Sequence, residues 1–260
     1  MIFLTGDCHG EFRKFSTLAF PEQKKLTKSD IVIILGDFGG IWDECESSFE
    51  RRWLSWLDSK NFTTVFIDGN HENFDRLNRE YEVVDFHGGK AHKIRDSIYH
   101  LMRGEIFDFD GMKFFAFGGA RSHDISDGII YRSDFKTDEE YKRHIKKMNK
   151  ERKSFRVNHV SWWAEELPSD EEIAHANDTL EKCGYTVDYV LTHCAPDSVV
   201  TSSYLMSSFE SDKLTQYFES LLPRLTFKHW FFGHYHHDSL DIDYKFTILY
   251  GDIIELWRVT

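Results

Sequence analysis

The sequence predicts an α/β protein, and three observations support that class. Several apolar runs have the length and composition of buried strands, and most of them end in turns that contain glycine. Segments with apolar residues at helical spacing lie between these runs. The chain has 260 residues, of which 41% are hydrophobic, so it can bury a large core.

The first third of the chain alternates between strand and helix patterns. Strands are predicted at residues 2–4, 31–35 and 65–67. Helices are predicted at residues 11–18, 46–60 and from residue 74 onward. In an open α/β sheet, the loops after the carboxyl ends of such strands are the places where ligands bind.

The middle of the chain carries a weaker pattern. An irregular stretch is expected around residues 85–103. A meander follows, with strands at 98–102, 106–109 and 112–117. Asp110 and Gly111 lie between the last two apolar runs, and this dipeptide is typical of a hairpin turn.

Residues 121–160 form a long polar segment whose second half, 138–156, is rich in Lys and Arg. The charges favour a solvated helix face. A mobile lid that supplies a cation to the substrate is the alternative. No repeat or linker interrupts the sequence, so we expect a single domain over residues 1–260 with a candidate lid insertion at about 121–160.

The last third returns to clear strand and helix patterns. Ser169 and Glu172 form a capping box that predicts a helix start. The remaining predicted elements are a strand at 187–191, a helix at 213–222, a strand at 229–232 and a final hairpin of residues 246–250 and 253–259.

The charge and cysteine content limit the function classes. A net charge of −12 disfavours a long nucleic-acid footprint, although bound metal ions would still admit a small phosphorylated substrate. The four cysteines show no CxxC spacing, and Cys8 and Cys194 are expected to be packing residues. With no signal peptide or membrane span in the sequence, a reduced cytoplasmic location is expected.

Side chains that bind metals follow five of the predicted strands. They are Asp7, His9, Asp37, Asn70, His193, His234 and His236. Carboxylates, imidazoles and one amide oxygen suit manganese, iron or zinc, and seven ligands exceed the needs of one tetrahedral zinc ion. The set predicts two divalent ions that clamp the attacking and leaving oxygens of a phosphoryl transfer.

His71 adjoins a predicted ligand but is surplus to coordination. It is therefore the candidate catalytic residue, which would protonate the leaving oxygen or stabilise charge on the phosphoryl group. The sequence leaves open whether Glu72 or Asp75 orients its ring. Arg103, Arg121 and Arg132 are candidate phosphate contacts, and Arg121 is the preferred substrate-binding residue because it follows a Gly-Gly turn.

Five motifs in order carry a family resemblance, namely GDCHG, GDFGG, GNHE, THCAP and GHYH between residues 6 and 236. This set resembles the calcineurin-like metallophosphoesterase superfamily. The resemblance implies a four-layer sandwich in which two packed mixed β-sheets are flanked by helices. It also implies that Asp7, His9 and His236 hold one metal, that Asn70, His193 and His234 hold the other, and that Asp37 bridges them.

Two branches of that superfamily are disfavoured. The serine/threonine protein phosphatases carry an Asp and an Arg where this chain has Gly40 and Ile41. Purple acid phosphatases need a tyrosine ligand at the position of Gly40, and they lack the histidine that His9 supplies.

The sequence therefore predicts a dinuclear metal-dependent phosphoesterase that works through a metal-bridging hydroxide. A phosphomonoesterase acting on a small metabolite or phosphoprotein is the first interpretation. A phosphodiesterase acting on cyclic nucleotides, dinucleotides or nucleic acid is the alternative. A non-catalytic scaffold ranks lower, because it would be expected to have lost ligands and none is missing. The expected partner is a small phosphorylated substrate or a phosphopeptide, with neither long nucleic acid nor a membrane.

Overall fold

The computed structural model describes residues 1–203, 205, 209–242 and 244–256. Its strands, in chain order, are β1 (Ile2–Thr5), β2 (Ile31–Leu35), β3 (Thr63–Ile67), β4 (Glu82–Phe86), β5 (Gly89–Arg95), β6 (Ile98–Leu101), β7 (Glu105–Phe109), β8 (Met112–Phe117), β9 (Ile129–Ile130), β10 (Arg156–Val157), β11 (Tyr189–Thr192), β12 (His229–Phe232), β13 (Ser239–Ile242), β14 (Phe246–Ile248) and β15 (Ile253–Glu255). Its helices are α1 (Ser48–Asp58), α2 (Phe74–Glu80), α3 (Asp138–Lys150), α4 (Asp170–Lys182), α5 (Asp197–Ser202) and α6 (Lys213–Leu221).

Two large mixed sheets form the body of the described chain. The first has the strand order β15-β1-β2-β3-β6-β5-β4, and its central strands β1, β2, β3 and β6 are parallel. The second has the order β13-β14-β12-β11-β8-β7, with β14, β12, β11 and β8 parallel. Antiparallel pairs close the outer edges of both sheets.

The two sheets pack face to face through alternating side chains. Ile33 and Leu35 of β2 point into the layer between the sheets, where they meet Leu191 of the second sheet. Val32 and Ile34 point to the opposite face and pack under α1 and α2. This division follows from the two-residue period of a strand.

The outer face of the second sheet is covered in the same way. Val190 and Trp230 pack there against Leu180 of α4 and Phe218 of α6. The order of layers is therefore helix, sheet, sheet, helix, and the predicted fold class is confirmed. Within the described residues, every helix is too short or too polar to be a membrane span.

The prediction of a helix at residues 11–18 is wrong. The chain there forms only a short 3-10 turn at Arg13–Phe15, and a second 3-10 turn begins at Pro21. The Glu11 carboxylate accepts the Arg13 amide at 2.9 Å, a local bond that competes with helix formation. Phe12 and Phe15 are fully buried, so tertiary packing rather than helix propensity sets this segment.

The prediction of an irregular stretch at residues 85–103 is also wrong over most of its length. β4 and β5 form an antiparallel hairpin at the edge of the first sheet, and β6 continues it. β4 is largely solvent-exposed, and even its Val83 is exposed. An edge strand held by its backbone ladder needs no apolar alternation, which is why the sequence pattern missed it.

The predicted final hairpin does not form. β14 pairs in parallel with β12 in the second sheet, whereas β15 pairs antiparallel with β1 in the first. Between them, the Tyr250 and Gly251 amides donate to the Asp238 carboxylate at 2.7 and 3.0 Å. This side chain directs the crossing from one sheet to the other, and residues 257–259 of the prediction lie outside the described chain.

The basic segment at 138–156 divides into two parts. α3 has no buried residue, so the solvated interpretation is confirmed as far as Lys150. Arg156, in contrast, lies in the short strand β10 and is buried. Cys8 and Cys194 are buried free thiols, as expected of packing residues.

Replacing Leu101 with Ala should destabilise the protein by about 2–5 kcal/mol, because this fully buried side chain fills the layer between the sheets. Urea unfolding measures the change, and Leu18→Ala is the matched control because Leu18 is 93% exposed. Equal stability losses in the two variants would contradict the assignment of this layer as the core.

Candidate metal centre and active site

Seven predicted ligands come together where strands of both sheets end. Asp7 follows β1, and its Oδ2 lies 3.2 Å from Nε2 of His236 and 3.7 Å from Nε2 of His9. The ligand atoms of these three residues all lie within 4.8 Å of one another. His236 belongs to the loop after β12, so the group spans the two sheets.

Asp37 occupies the middle of the cluster. Its Oδ1 lies 3.2 Å from Nε2 of His193, and its Oδ2 lies 3.7 Å from Nδ1 of His9. His193 in turn hydrogen-bonds through Nδ1 to the backbone oxygen of Leu35 at 2.6 Å, which fixes the ring. Asp37 is therefore placed between the Asp7 group and His193.

The two carboxylates also hold neighbouring loops by their backbones. Asp37 Oδ1 accepts the amides of Asn70 and His71, both at 2.9 Å. Asp7 Oδ1 accepts the amide of His234 at 3.0 Å, and the His234 ring lies 4.9 Å from the ring of His193. All seven predicted ligands thus share one cluster.

Glycines before the ligands leave space for the acids. A Cβ at Gly69 would overlap Oδ1 of Asp37, and a Cβ at Gly233 would overlap Oδ1 of Asp7. These glycines allow the loop backbones to approach the carboxylates closely. Gly69 and Gly233 are therefore explained by packing against a predicted ligand from another strand.

Four of the predicted ligands have left-handed backbone conformations. The φ angles are 48° for His9, 45° for Asp37, 69° for His234 and 50° for His236. Such conformations cost about 1–3 kcal/mol each for non-glycine residues and concentrate at functional sites. The surrounding hydrogen bonds hold the chain in these conformations, so the side chains converge on one point.

The buried polar atoms of the cluster fit divalent cations. Asn70 Oδ1 is buried and has no hydrogen-bond partner in the described part of the chain. Asp7 Oδ2 and His193 Nε2 are also buried, and each faces another predicted ligand atom at 3.2 Å without a well-formed hydrogen bond. An unpartnered buried polar atom costs about 1–3 kcal/mol, and a cation would satisfy all three. Oxygen and imidazole donors without thiolates match the metals expected from the sequence.

The electrostatics of the cluster lead to the same conclusion. Burial would lower the pKa of His193, but the carboxylates of Asp37 and Asp7 outweigh it and raise the pKa to about 10. Burial, with the neighbouring His193 and His123 rings, holds the pKa of His234 well below its usual range. Without cations, the proton on His193 therefore offsets part of the negative charge of Asp37 and Asp7. A metal ion that binds the His193 ring must displace this proton.

A series of hydrogen-bonded side chains behind the cluster orients Asn70. The Ser122 hydroxyl donates to Oε2 of Glu166 at 2.7 Å and accepts from Nδ2 of Asn70 at 3.4 Å. The Ser122 amide also donates to Glu166 Oε1 at 3.0 Å. Because the hydroxyl hydrogen is used on Glu166, its lone pairs select the amide nitrogen of Asn70 and leave Oδ1 as the ligand end.

His71 lies beside the cluster, with its ring stacked at 5.5 Å on Trp42. Burial of the ring, opposed by the Asp37 carboxylate and assisted by the nearby Arg156 cation, lowers the pKa of His71 to about 4. Nη2 of Arg156 lies 3.3 Å from Nε2 of His71.

Neither acid suggested by the sequence orients this ring. Glu72 accepts the amide of Phe38 at 2.7 Å, and Asp75 accepts from His159 and Trp163, both at 2.8 Å. The sequence left open which of these two acids orients the His71 ring, and in the structure both bond to other groups.

The three arginines considered from the sequence have different surroundings. Buried Arg103 donates to Asp68 and stabilises the loop behind the site, while Arg132 pairs with Asp138 at the surface. Arg121 pairs with Glu210 at 2.6 Å and lines a cleft of about 500 Å³ next to the metal cluster. Arg121 therefore stays a predicted substrate contact.

Arg156 is the residue that sequence reasoning missed. It stands at the end of the basic stretch, where the charge pattern gave the same signal as the solvated lysines before it. The structure places it in a cleft of about 550 Å³ that is lined by His9, Asp37, Asn70, His71, His234 and His236, among others.

The oxygen and imidazole donors at the meeting edge of the two sheets define a candidate metal centre, and comparison with known families gives the class of protein. The model of the calcineurin-like phosphoesterase family matches residues 1–238. The chain belongs to that family.

Two known proteins are similar to this chain. Lariat debranching enzyme A of Xenopus laevis is 26% identical over 151 residues, which cover 53% of this chain but only 27% of that protein. The crystal structure of phosphopantetheinyl hydrolase from Mycobacterium tuberculosis is 14% identical with a TM-score of 0.41, and the match covers 96% of this chain and 89% of that one. The chain thus spans about a quarter of the length of the debranching enzyme.

Replacing Ser122 with Ala should weaken metal binding by about 10–100-fold, because Asn70 loses the group that orients its amide. Titration of Mn²⁺ into chelator-stripped protein measures the affinity. Ser154→Ala removes an exposed hydroxyl from the same 121–160 segment and serves as the control. If both variants bind Mn²⁺ as the wild type does, the hydrogen bond from Asn70 to Ser122 does not orient a ligand.

Proposed function

We propose that the protein is a phosphomonoesterase that removes a terminal phosphate from a small substrate or a phosphopeptide. The observation that carries this proposal is that His71 and the ligand cluster face one cleft of about 550 Å³. A cleft of this size fits a small ligand. The net charge of −12 gives no support to binding of long nucleic acid.

The seven ligands have separate roles in this proposal. Asp7, His9 and His236 hold one ion, Asn70, His193 and His234 hold the second, and Asp37 lies between them. The spacing of the ligand atoms supports the first group, and the distances from Asp37 to His193 and His9 support its middle position. When bound, two divalent ions supply electrophilic stabilisation of the phosphoryl charge and an activated water. Manganese, iron and zinc all suit the donors.

His71 is the proposed catalytic residue because it faces the cleft without belonging to the ligand set. Trp42 stacks on one side of its ring, and the His9 ring lies edge-on at 4.8 Å. These contacts keep the imidazole beside the cluster, where it would assist the oxygen that leaves phosphorus.

A phosphodiesterase is the second candidate, and one feature favours it. The cleft that contains Arg121 adjoins the catalytic cleft, and both are lined by His123, His234 and Tyr235. A second ester substituent would fit there, with Arg121 as a contact. The similarity to a lariat debranching enzyme gives this candidate additional weight.

A reducing compartment, the cytoplasm, fits the proposed function. Cys8, Cys45, Cys183 and Cys194 are all free in the structure. Thiols remain free where glutathione and thioredoxin keep them reduced.

Chelator-stripped protein supplied with Mn²⁺ should hydrolyse para-nitrophenyl phosphate faster than bis-para-nitrophenyl phosphate. The comparison is of kcat/KM, read from nitrophenolate release. A preference for the diester would replace the first candidate with the second. Hydrolysis of neither substrate by protein shown to hold two metal ions would favour a scaffold.

Replacing His71 with Ala should lower turnover by roughly 100-fold or more, the scale of one acid–base group, while leaving metal content near that of the wild type. Steady-state kinetics and elemental mass spectrometry give the two readouts. His87→Ala is the control, since His87 is an exposed residue of the β4–β5 hairpin turn. Wild-type turnover in His71→Ala would remove this residue from the mechanism.

A further inference from the structure

We propose that Arg156 binds the phosphoryl group of the substrate and gives the enzyme its preference for a terminal, doubly charged phosphate. The substrate class in this inference rests on the proposed monoesterase function. The binding of phosphate oxygens by Arg156 rests on geometry alone.

Arg156 is a buried cation placed by the 121–160 segment. β10, which carries it, pairs with β9 in a separate two-stranded sheet, and the Arg156 amide donates to Gly128 at 3.3 Å. The Arg156 side chain is 10% exposed. Burial of a charge is costly unless the charge is paired, and the partner of Arg156 is Asp124, which lines the same cleft.

Two anchors fix the plane of the guanidinium. Nε of Arg156 donates to the two carboxylate oxygens of Asp124 at 2.8 and 3.0 Å, and Nη1 donates to the Ser161 carbonyl at 2.9 Å. Both anchors come from outside the ligand cluster. They leave the Nη2 edge directed at Nε2 of His71, which lies 3.3 Å away.

The remaining hydrogens are available to a ligand. A guanidinium has five N–H groups, and three of those on Arg156 have the acceptors just named. Within the described chain, the second hydrogens of Nη1 and Nη2 have no acceptor. The bond to His71 is the longest of the set, so an anionic oxygen would readily replace or share it.

The charges in the cleft favour an anion at this point. Among the described residues that line the catalytic cleft, Arg156 is the one Lys or Arg side chain. The acids there are Asp37, within the ligand cluster, and Asp124, which is already paired with Arg156. Arginine binds phosphate oxygens through two parallel N–H groups, a geometry that lysine cannot reproduce.

Position and charge together point to discrimination between esters. A monoester carries close to two negative charges at pH 7 and three terminal oxygens, so one oxygen can face Arg156 while the others face the cluster. A diester has two terminal oxygens and one charge. It therefore gains less from a cation at the edge of the site.

The kinetic test compares Arg156→Gln and Arg156→Lys with the wild type on the two nitrophenyl esters. Arg156→Gln should lower kcat/KM for the monoester at least about 30-fold, the effect of losing one partner of a buried charged pair, and change the diester less than about threefold. Arg156→Lys should fall between. Arg143→Gln, which removes an exposed charge from α3 of the same segment, should change neither.

A binding measurement makes the test independent of turnover. Inorganic phosphate is titrated calorimetrically into Mn²⁺-loaded wild type, Arg156→Gln and Arg143→Gln, after metal content and melting temperature are checked. A phosphate Kd raised at least about 10-fold in Arg156→Gln alone supports the proposal. An unchanged Kd overturns it, whether or not the enzyme turns over, and Arg156→Lys replaces the glutamine variant if the latter does not fold.

The kinetic outcomes separate this inference from the proposed function. A wild type that prefers the diester defeats the monoesterase proposal and the specificity role with it, and the phosphate titration then decides whether Arg156 binds phosphoryl oxygens. A wild type that prefers the monoester, with equal losses on both esters in Arg156→Gln, keeps the proposed function but shows that Arg156 acts through His71 rather than on the substrate's charge.

Discussion

Two buried carboxylates join the loops that carry the candidate metal ligands. Asp7, at the end of β1, accepts a backbone amide from the β12 loop and so connects the two sheets. Asp37, at the end of β2, accepts two amides from the β3 loop. Because each acid uses one oxygen on backbone amides, the other oxygen stays available to the cluster, and the glycines of the motifs make this close approach possible.

Hydrogen bonds from the 121–160 segment also position side chains of the site. Ser122 orients the amide of Asn70, and Asp124 fixes the guanidinium of Arg156 beside His71. The segment is therefore packed against the site at both of its ends, while α3 between them is solvated. Residues outside the metal-binding motifs thus position groups at the centre of the site.

Sequence patterns found the elements whose burial is regular and missed those set by tertiary contacts. The buried central strands are continuous apolar runs, α1 has apolar residues at helical spacing, and α4 begins with a capping box, so the sequence predicted each of them. The edge hairpin β4–β5 and the 3-10 turn at Arg13–Phe15 lack such patterns. The final two strands were placed in one hairpin, although hydrogen bonds to Asp238 divert them to different sheets.

By itself, the sequence determined the fold class, the family resemblance and the convergence of seven ligand-type side chains, because each of these follows from strands that end in short motifs. Only the tertiary structure decided which groups surround His71. Glu72 and Asp75 are near it in sequence but bond elsewhere, whereas Arg156 is 85 positions away and lies 3.3 Å from its ring. Sequence spacing gives no information on such a contact, because the packing of a distant segment creates it.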